Sequence, residues 1–295
     1  MAYAHLPVLI EQVIEFLDPH PDGIYVDCTL GGAGHAIKIL ERSSPRGRLI
    51  GIDRDEEAIE EASIRLKPYE ARTTLIHGNF SDLREILREL NISRVEGILM
   101  DLGVSYQQLI DEKRGFSFQS EGPVDMRMDR TQGETASKLI NTLSRGELEG
   151  ILRRYGEGRW GRKIAKAIVR HRQKTPIVTT TQLRDIISSA VLKPPRRIHP
   201  ATKAFQAIRI AVNDELNNLE KAIRDGIPLL KSRGRLCILS FHSLEDRIVK
   251  ESFRQYEKPP GLITIITKKP IAPSTGEISE NPRARSAKLR VAERV

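Results

Sequence analysis

Asp27, the stretch Gly31-Gly32-Ala33-Gly34-His35 and Asp53 have the types and spacing needed to hold a ligand. The apolar run Ile24-Tyr25-Val26 ends in Asp27, and Leu49-Ile50-Gly51-Ile52 ends in Asp53, nineteen residues after Gly34. Glycines let the backbone come close to a ligand. An acid at the tip of the next strand accepts ribose hydroxyls, each bond worth about 1.5–3 kcal/mol when charge-assisted. The pattern predicts a strand–loop–helix–strand unit for an adenosine-bearing cofactor. The plainer alternative is a glycine turn in an ordinary α/β protein.

Spacing narrows the cofactor. A dinucleotide fingerprint requires Gly-x-Gly-x-x-Gly. Counted from Gly31, the required positions hold Ala33 and Ala36; counted from Gly32, Gly34 fits but Ile37 does not. An acid six to eight residues before the last glycine fits better, as Asp27 does before Gly34. In doubly wound methyltransferases that acid and loop surround the methionine part of S-adenosylmethionine.

Three later apolar runs end in residues that a parallel sheet brings to the same edge. In His77-Gly78-Asn79-Phe80, the Phe80 ring either stacks on adenine, worth about 1–3 kcal/mol, or staples the helix starting at Ser81. Asp101-Leu102-Gly103-Val104-Ser105 puts an acid on a central strand tip, a costly placement that points to use. In Ser240-Phe241-His242-Ser243-Leu244-Glu245-Asp246, His242 and Ser243 either position substrate or cap a helix through Arg247 and Val249. No Gly-x-Ser-x-Gly elbow occurs, so serine-hydrolase chemistry is not indicated.

These tips need elements behind them. Strands are predicted at 24–28, 49–53, 73–77 and 95–101, with helices at 7–17, 35–42, 55–66 and 81–90. The alternation implies an α/β fold, a parallel sheet with helices on both faces. It stops after Asp101. From about 107 to 200 only helices are predicted, at 134–142, 144–155 behind the capping pair Ser144 and Glu147, 160–172 and 181–191. Phe205, Ile208, Val212, Leu216 and Leu219 share one face, which predicts a long helix from Ala201 to Arg224. Strands return at 235–240, 262–267 and 287–292, and 258–285 reads as a long loop rich in Pro, Ser and Gly. The expected organisation is a discontinuous sheet domain, 1–106 with 201–295, interrupted by a helical domain at 107–200.

Charge suggests the partner. The 295-residue chain carries +9 at pH 7, and its isoelectric point near 9.6 favours a polyanion, nucleic acid before membrane. Between Arg153 and Lys174 stand nine Lys or Arg and one acid, Glu157. Arg159, Lys163, Lys166 and Arg170 recur at helical spacing and form one stripe, the expected footprint for phosphates. Lys193, Arg196, Arg197, His199 and Lys203 add to it, with Pro194 and Pro195 stiffening the turn. Trp160 suits the helical domain's core better than a base stack. Cys28 and Cys237 give neither zinc spacing nor a disulfide framework, so no metal is expected and a reducing cytoplasm is. The first seventeen residues do not form a signal peptide, and no apolar run reaches membrane-span length.

Taken together, the motifs resemble the RsmH (MraW) family of bacterial 16S ribosomal RNA methyltransferases nearly end to end. The resemblance rests on His5-Leu6-Pro7-Val8-Leu9, Gly34-His35, Ile98-Leu99-Met100-Asp101-Leu102-Gly103-Val104-Ser105, Arg114-Gly115-Phe116-Ser117-Phe118 and Pro123-Val124-Asp125-Met126-Arg127-Met128-Asp129. It continues through His199-Pro200-Ala201-Thr202-Lys203, Phe205-Gln206-Ala207-Ile208-Arg209-Ile210, Ser240-Phe241-His242-Ser243-Leu244-Glu245-Asp246-Arg247 and Asn281-Pro282-Arg283-Ala284-Arg285-Ser286. It implies a doubly wound, Rossmann-like methyltransferase domain with an inserted helical domain that helps bind RNA. The implied reaction moves a methyl group from S-adenosyl-L-methionine to the exocyclic N4 of a P-site cytidine in 16S rRNA of the small subunit. By position the implied cofactor contacts are Ala33, Gly34, His35, Asp53, Phe80, Asp101 and Gln108, with Asp101 also the candidate for orienting the reacting groups. Tyr106-Gln107-Gln108 departs from the family's usual Ser-Pro-Gln, and Trp160-Gly161 from its Phe-Ala. The alternatives are cytosine C5 methylation, which needs a cysteine nucleophile, a nicotinamide dehydrogenase, and a noncatalytic RNA-binding protein on a methyltransferase fold.

Overall fold

Along the apolar runs, alternate side chains go to opposite faces of one sheet, as the two-residue period of a strand requires. In a computed structural model that describes residues 7–156, 158–191 and 199–295, Tyr25, Leu49, Leu99, Cys237 and Leu239 enter one core with Val13, Leu17, Ile39 and Leu40. Their neighbours Val26, Ile50, Ile98, Met100, Leu236 and Ile238 enter the other, with Leu83, Leu87, Ile223, Val249 and Phe253. A sheet buried on both faces reads as continuous apolar sequence, which is why its strands were so visible.

The strands are β1 (Ile24–Asp27), β2 (Arg48–Asp53), β3 (Thr73–His77), β4 (Val95–Asp101), β5 (Leu230–Ser240), β6 (Ile263–Ile265) and β7 (Lys288–Arg294). They lie in the order β3-β2-β1-β4-β5-β7-β6. The first five are parallel, while β7 runs antiparallel to both β5 and β6. Strand order reverses at β1, and the ends of β1, β2 and β4 share one edge there.

The chain divides into two compact units, one of Met1–Gly103 with Leu216–Val295 and the other of Val104–Glu215. The second has its own apolar core, in which Ile140, Leu148, Leu152, Ile164, Ile168, Leu183 and Ile187 meet Ala204, Phe205 and Ile208. Its helices include Ala136–Thr142, Arg145–Tyr155, Gly161–Arg172 and Thr180–Ala190. The division falls at 103/104 and 215/216, so helix Ala201–Asn213 groups with the helical unit and not with the sheet.

Three expectations are corrected. The long helix from 201 to 224 is two helices, Ala201–Asn213 and Glu215–Gly226, broken at Asp214 with φ 50°. Their faces enter different cores, a distinction that one continuous period could not reveal. The N-terminal helix starts at Ile10 and not Pro7, because Leu9 takes a left-handed φ of 52° and its N–H donates to Glu277 Oε1 at 2.7 Å. The 258–285 loop holds a helix, Thr275–Glu280, capped by Ser274, beyond the expected strand at 262–267, which is β6. The segment 1–6, Glu157, and the basic turn with Lys193, Arg196 and Arg197 lie outside the described residues.

Candidate active site and nucleic-acid face

The loop after β1 is held from three sides. Asp53 at the end of β2 accepts the Gly31 N–H on Oδ2 at 2.8 Å and the Asp55 N–H on Oδ1 at 2.9 Å. The Arg65 guanidinium donates to the Gly32 carbonyl from helix Glu56–Arg65. Pro7 packs on Gly34 so closely that a Cβ there would lie 2.2 Å from Pro7 Cγ. Gly34 is therefore a glycine for packing, whereas Gly31 is a glycine for its φ of 46°, with only ordinary contact to the Thr29 carbonyl. Ala33 is buried and takes φ 57° at the start of helix Gly34–Arg42, a backbone state that costs a non-glycine residue about 1–2 kcal/mol.

Asp101 ends β4 beside this loop. Its N–H donates to Thr29 Oγ1 at 2.6 Å. Its Oδ2 lies 3.6 Å from His35 Nδ1, too far for a direct hydrogen bond. His35 Nε2 donates to the Val8 carbonyl at 3.0 Å; a carbonyl can only accept, so Nδ1 is the ring atom turned to Asp101. Asp101 Oδ1 is buried with no hydrogen-bond partner among the described residues. Burial, then the charges of Asp27 and Glu245, push this carboxyl up to about 8.

Asp27 and Asp53 behave alike. Asp27 is buried, accepts the Thr29 N–H on Oδ1 at 3.1 Å, and is pushed to about 7 by burial and by Asp53. Burial raises Asp53 to about 6 despite its two backbone donors. Three acids on the tips of β1, β2 and β4 are thus raised above the usual carboxylate range by burial. The sequence showed Asp27 only as part of a loop pattern and gave no sign of Thr29. The hydroxyl of Thr29 joins the β1 loop to β4, a contact across 72 residues.

The other candidates fall out differently. Phe80 is the first residue of a 3₁₀ turn whose cap is Asn79, so it is not in the staple position, and its ring packs on the sheet core. Gln108 lies in the helical unit, where its Oε1 accepts the Ser105 N–H at 3.0 Å and its N–H donates to Ser105 Oγ at 3.2 Å. It thereby completes a capping box, whose Ser-x-x-Gln spacing the sequence carries. His242 caps helix Ser243–Glu257: its Nδ1 accepts the Glu245 N–H at 3.3 Å, while Glu245 Oε2 accepts the Phe241 and His242 N–H groups.

In the helical unit Gly161–Arg172 buries Ile164, Ala165 and Ile168, which leaves Arg159, Lys163, Lys166 and Arg170 exposed as one basic face. Arg172 is different. It donates to the Ile140 and Leu143 carbonyls and so ties down the end of Ala136–Thr142. Trp160 packs against the unit's core, with the Arg159 and Lys163 cations 5.2 and 5.0 Å from its ring centre. Residues 104–215 hold 21 Lys or Arg against 12 Asp or Glu, while the rest of the chain holds 27 of each. The whole formal excess of +9 therefore belongs to the helical unit.

Fold and site together define a Rossmann-like, S-adenosylmethionine-dependent methyltransferase with a helical insertion. The chain belongs to the MraW methylase family, whose model matches residues 2–295. It is 50% identical to the ribosomal RNA small subunit methyltransferase H of Geotalea uraniireducens over 99% of both chains. It is 48% identical to the protein of the same name from Halothermothrix orenii, over 99% of this chain and 98% of that one. A Streptococcus mutans chain solved with SAH aligns over 98% of this chain and 99% of its own, with TM-score 0.47 and 12% identity. S-adenosyl-L-methionine is the cofactor, and the site fits it: the buried, unpartnered Asp101 Oδ1 and its two companion acids favour a ligand bearing sulfonium and ammonium charge. No helix among the described residues is long and apolar enough to cross a membrane.

Proposed function

We propose that this protein methylates the exocyclic N4 of a P-site cytidine in 16S rRNA of the small ribosomal subunit. The observation that carries this reading is Asp101, a carboxyl on the central strand tip with one oxygen buried and unengaged. Full-length relatives named as small-subunit rRNA methyltransferases and the basic helical unit support RNA as the substrate.

The bound cofactor supplies an activated methyl group. Around it, Ala33, Gly34 and His35 would hold the methionine part, Asp53 would accept the ribose hydroxyls and Phe80 would border adenine. The cytosine amine is a weak nucleophile because its lone pair is delocalised into the ring. Holding it in line with the methyl carbon is worth several kcal/mol, within the roughly 7–11 kcal/mol that orientation can supply. Asp101, once ionised, accepts an amine N–H and turns the lone pair toward the methyl carbon. The base reaches the site extruded or already single-stranded.

C5 methylation is disfavoured by the thiols. Cys28 and Cys237 are both buried. Burial pushes Cys237 to about 12 and Cys28 well above its ordinary value, so neither supplies a thiolate nucleophile. The test is methylation of purified small subunits and of naked 16S rRNA with labelled S-adenosylmethionine, followed by digestion and mass spectrometry. N4-methylcytidine is expected; 5-methylcytidine, or no RNA product from either substrate, would overturn the proposal.

A further inference from the structure

A small basic cleft lies in the sheet unit, apart from the cofactor loop, between helix Ser243–Glu257 and the β6–β7 edge. It is lined by Lys250, Phe253, Arg254, Glu257, Ile265, Lys268 and Arg290, with a volume of ≈ 230 Å³. At ~30 Å³ per water that is room for roughly seven or eight waters. Ligand pockets run from about 300 to 1,000 Å³, so the cleft is too small to enclose a nucleoside and large enough for a hydrated phosphate group.

Its charges are poorly offset. Lys250, Arg254 and Lys268 make no ion pair or hydrogen bond among the described residues. Arg290 is 7% exposed and is held in place by Asp246 Oδ1, 2.7 Å from its Nε. Asp246 also binds Lys288 at 2.9 Å, so its charge is already shared. Glu257 is the one acid of the lining, and its Oε1 accepts the Ile265 N–H at 3.0 Å. Three unpaired cations beside a fixed guanidinium repel one another until an anion enters. The surrounding charge agrees: residues 216–295 hold 16 Lys or Arg against 9 Asp or Glu, whereas residues 1–103 hold 11 against 18.

We propose that this cleft binds a backbone phosphate of the RNA substrate, a second contact in addition to the basic face of the helical unit. The proposal rests on RNA being the substrate. Lys250 and Arg254, one helical turn apart on the same face, and Lys268 supply the mobile charges, while Arg290 supplies a preset one.

The experiment compares wild-type protein, Lys250→Ala, Lys268→Ala, their double variant and Lys250→Arg. Each is titrated with a single-stranded 16S rRNA fragment over a salt series, and with inorganic phosphate followed by phosphorus NMR. Calorimetric binding of S-adenosylmethionine reports that each variant is folded. Loss of one phosphate contact lowers the slope of log affinity against log salt by about 0.7. The double variant should show that drop and lose phosphate binding, with Lys250→Arg retaining both and the single variants intermediate. An unchanged slope in the double variant overturns the proposal, including the case where wild-type protein binds inorganic phosphate, which would make this a site for free phosphate. An Arg159→Ala/Lys163→Ala/Lys166→Ala variant in the same series separates the two ideas. If its slope falls while the cleft variant's does not, only the cleft fails; if neither falls, the RNA reading itself fails.

Discussion

At the scale of single residues, Asp101 joins two properties that are costly apart, a buried unpartnered oxygen and a proton held to about pH 8. Binding a cation favours its ionised form, so cofactor binding near neutral pH should release protons and tighten as pH rises toward 8. Calorimetry in buffers of different ionisation heat measures the release, which Asp101→Asn should reduce; an unchanged release, with wild-type affinity and methyl transfer, would remove Asp101 from the site. Stability carries the same signature with a definite sign. Folded, the group titrates near 8, while its ordinary value is 3.8, so between those values the folded chain binds more protons than the unfolded one. Its contribution therefore falls as pH rises across that window. Asp101→Asn should flatten the fall, read as melting temperature against pH, and parallel curves for the two proteins would contradict this. Asp27 and Asp53 titrate as a group with it, so the release belongs to the three acids jointly.

At the scale of elements, one side chain ties the end of helix Ala201–Asn213 to the Met126–Met128 segment. Asn213 is 3% exposed; its Oδ1 accepts the Met128 N–H at 2.8 Å and its Nδ2 donates to the Met126 carbonyl at 2.7 Å. Asn213→Ala leaves both backbone groups buried without these partners. At about 1–3 kcal/mol for each unsatisfied group, the helical unit should lose roughly 2–6 kcal/mol in denaturant unfolding. A loss below about 1 kcal/mol would mean that water replaces the amide. The glycine loop makes a second, local prediction. Gly34→Ala should displace the Pro7-Val8-Leu9 segment, because the new methyl group meets the Pro7 ring. His35 would then lose its Val8 acceptor, so cofactor affinity should fall even though no cofactor-facing atom is removed. Calorimetric titration of the variant checks this.

At the scale of the whole molecule, charge is divided between the units. The helical unit carries the entire excess and the sheet unit is balanced, with its acids concentrated before residue 104. Replacing Arg159, Lys163 and Lys166 together should weaken RNA binding and lower the salt slope by about 2–3, while leaving cofactor titration unchanged. Unchanged RNA affinity over a salt series would exclude this face. Arg172 predicts the reverse pattern. Its guanidinium holds the Ile140 and Leu143 carbonyls, so Arg172→Ala should lower the helical unit's stability and hardly alter the salt slope.

The sequence alone determined the sheet, the insertion and the cofactor class. Strands buried on both faces are written as unbroken apolar runs, and a glycine loop between two acids suits an adenosine-bearing cofactor that the family resemblance then names. What it left open depended on contacts between distant residues. Thr29 meets Asp101 across 72 residues, and Leu9 meets Glu277 across 268. A period of 3.6 also runs unchanged through two helices that face different cores. The tertiary structure decided that Gly34 is small because of Pro7, that His242 serves a cap, and that burial lifts the Asp27, Asp53 and Asp101 carboxyls well above their usual range. Desolvation comes from everything packed around a group, and linear sequence does not record it.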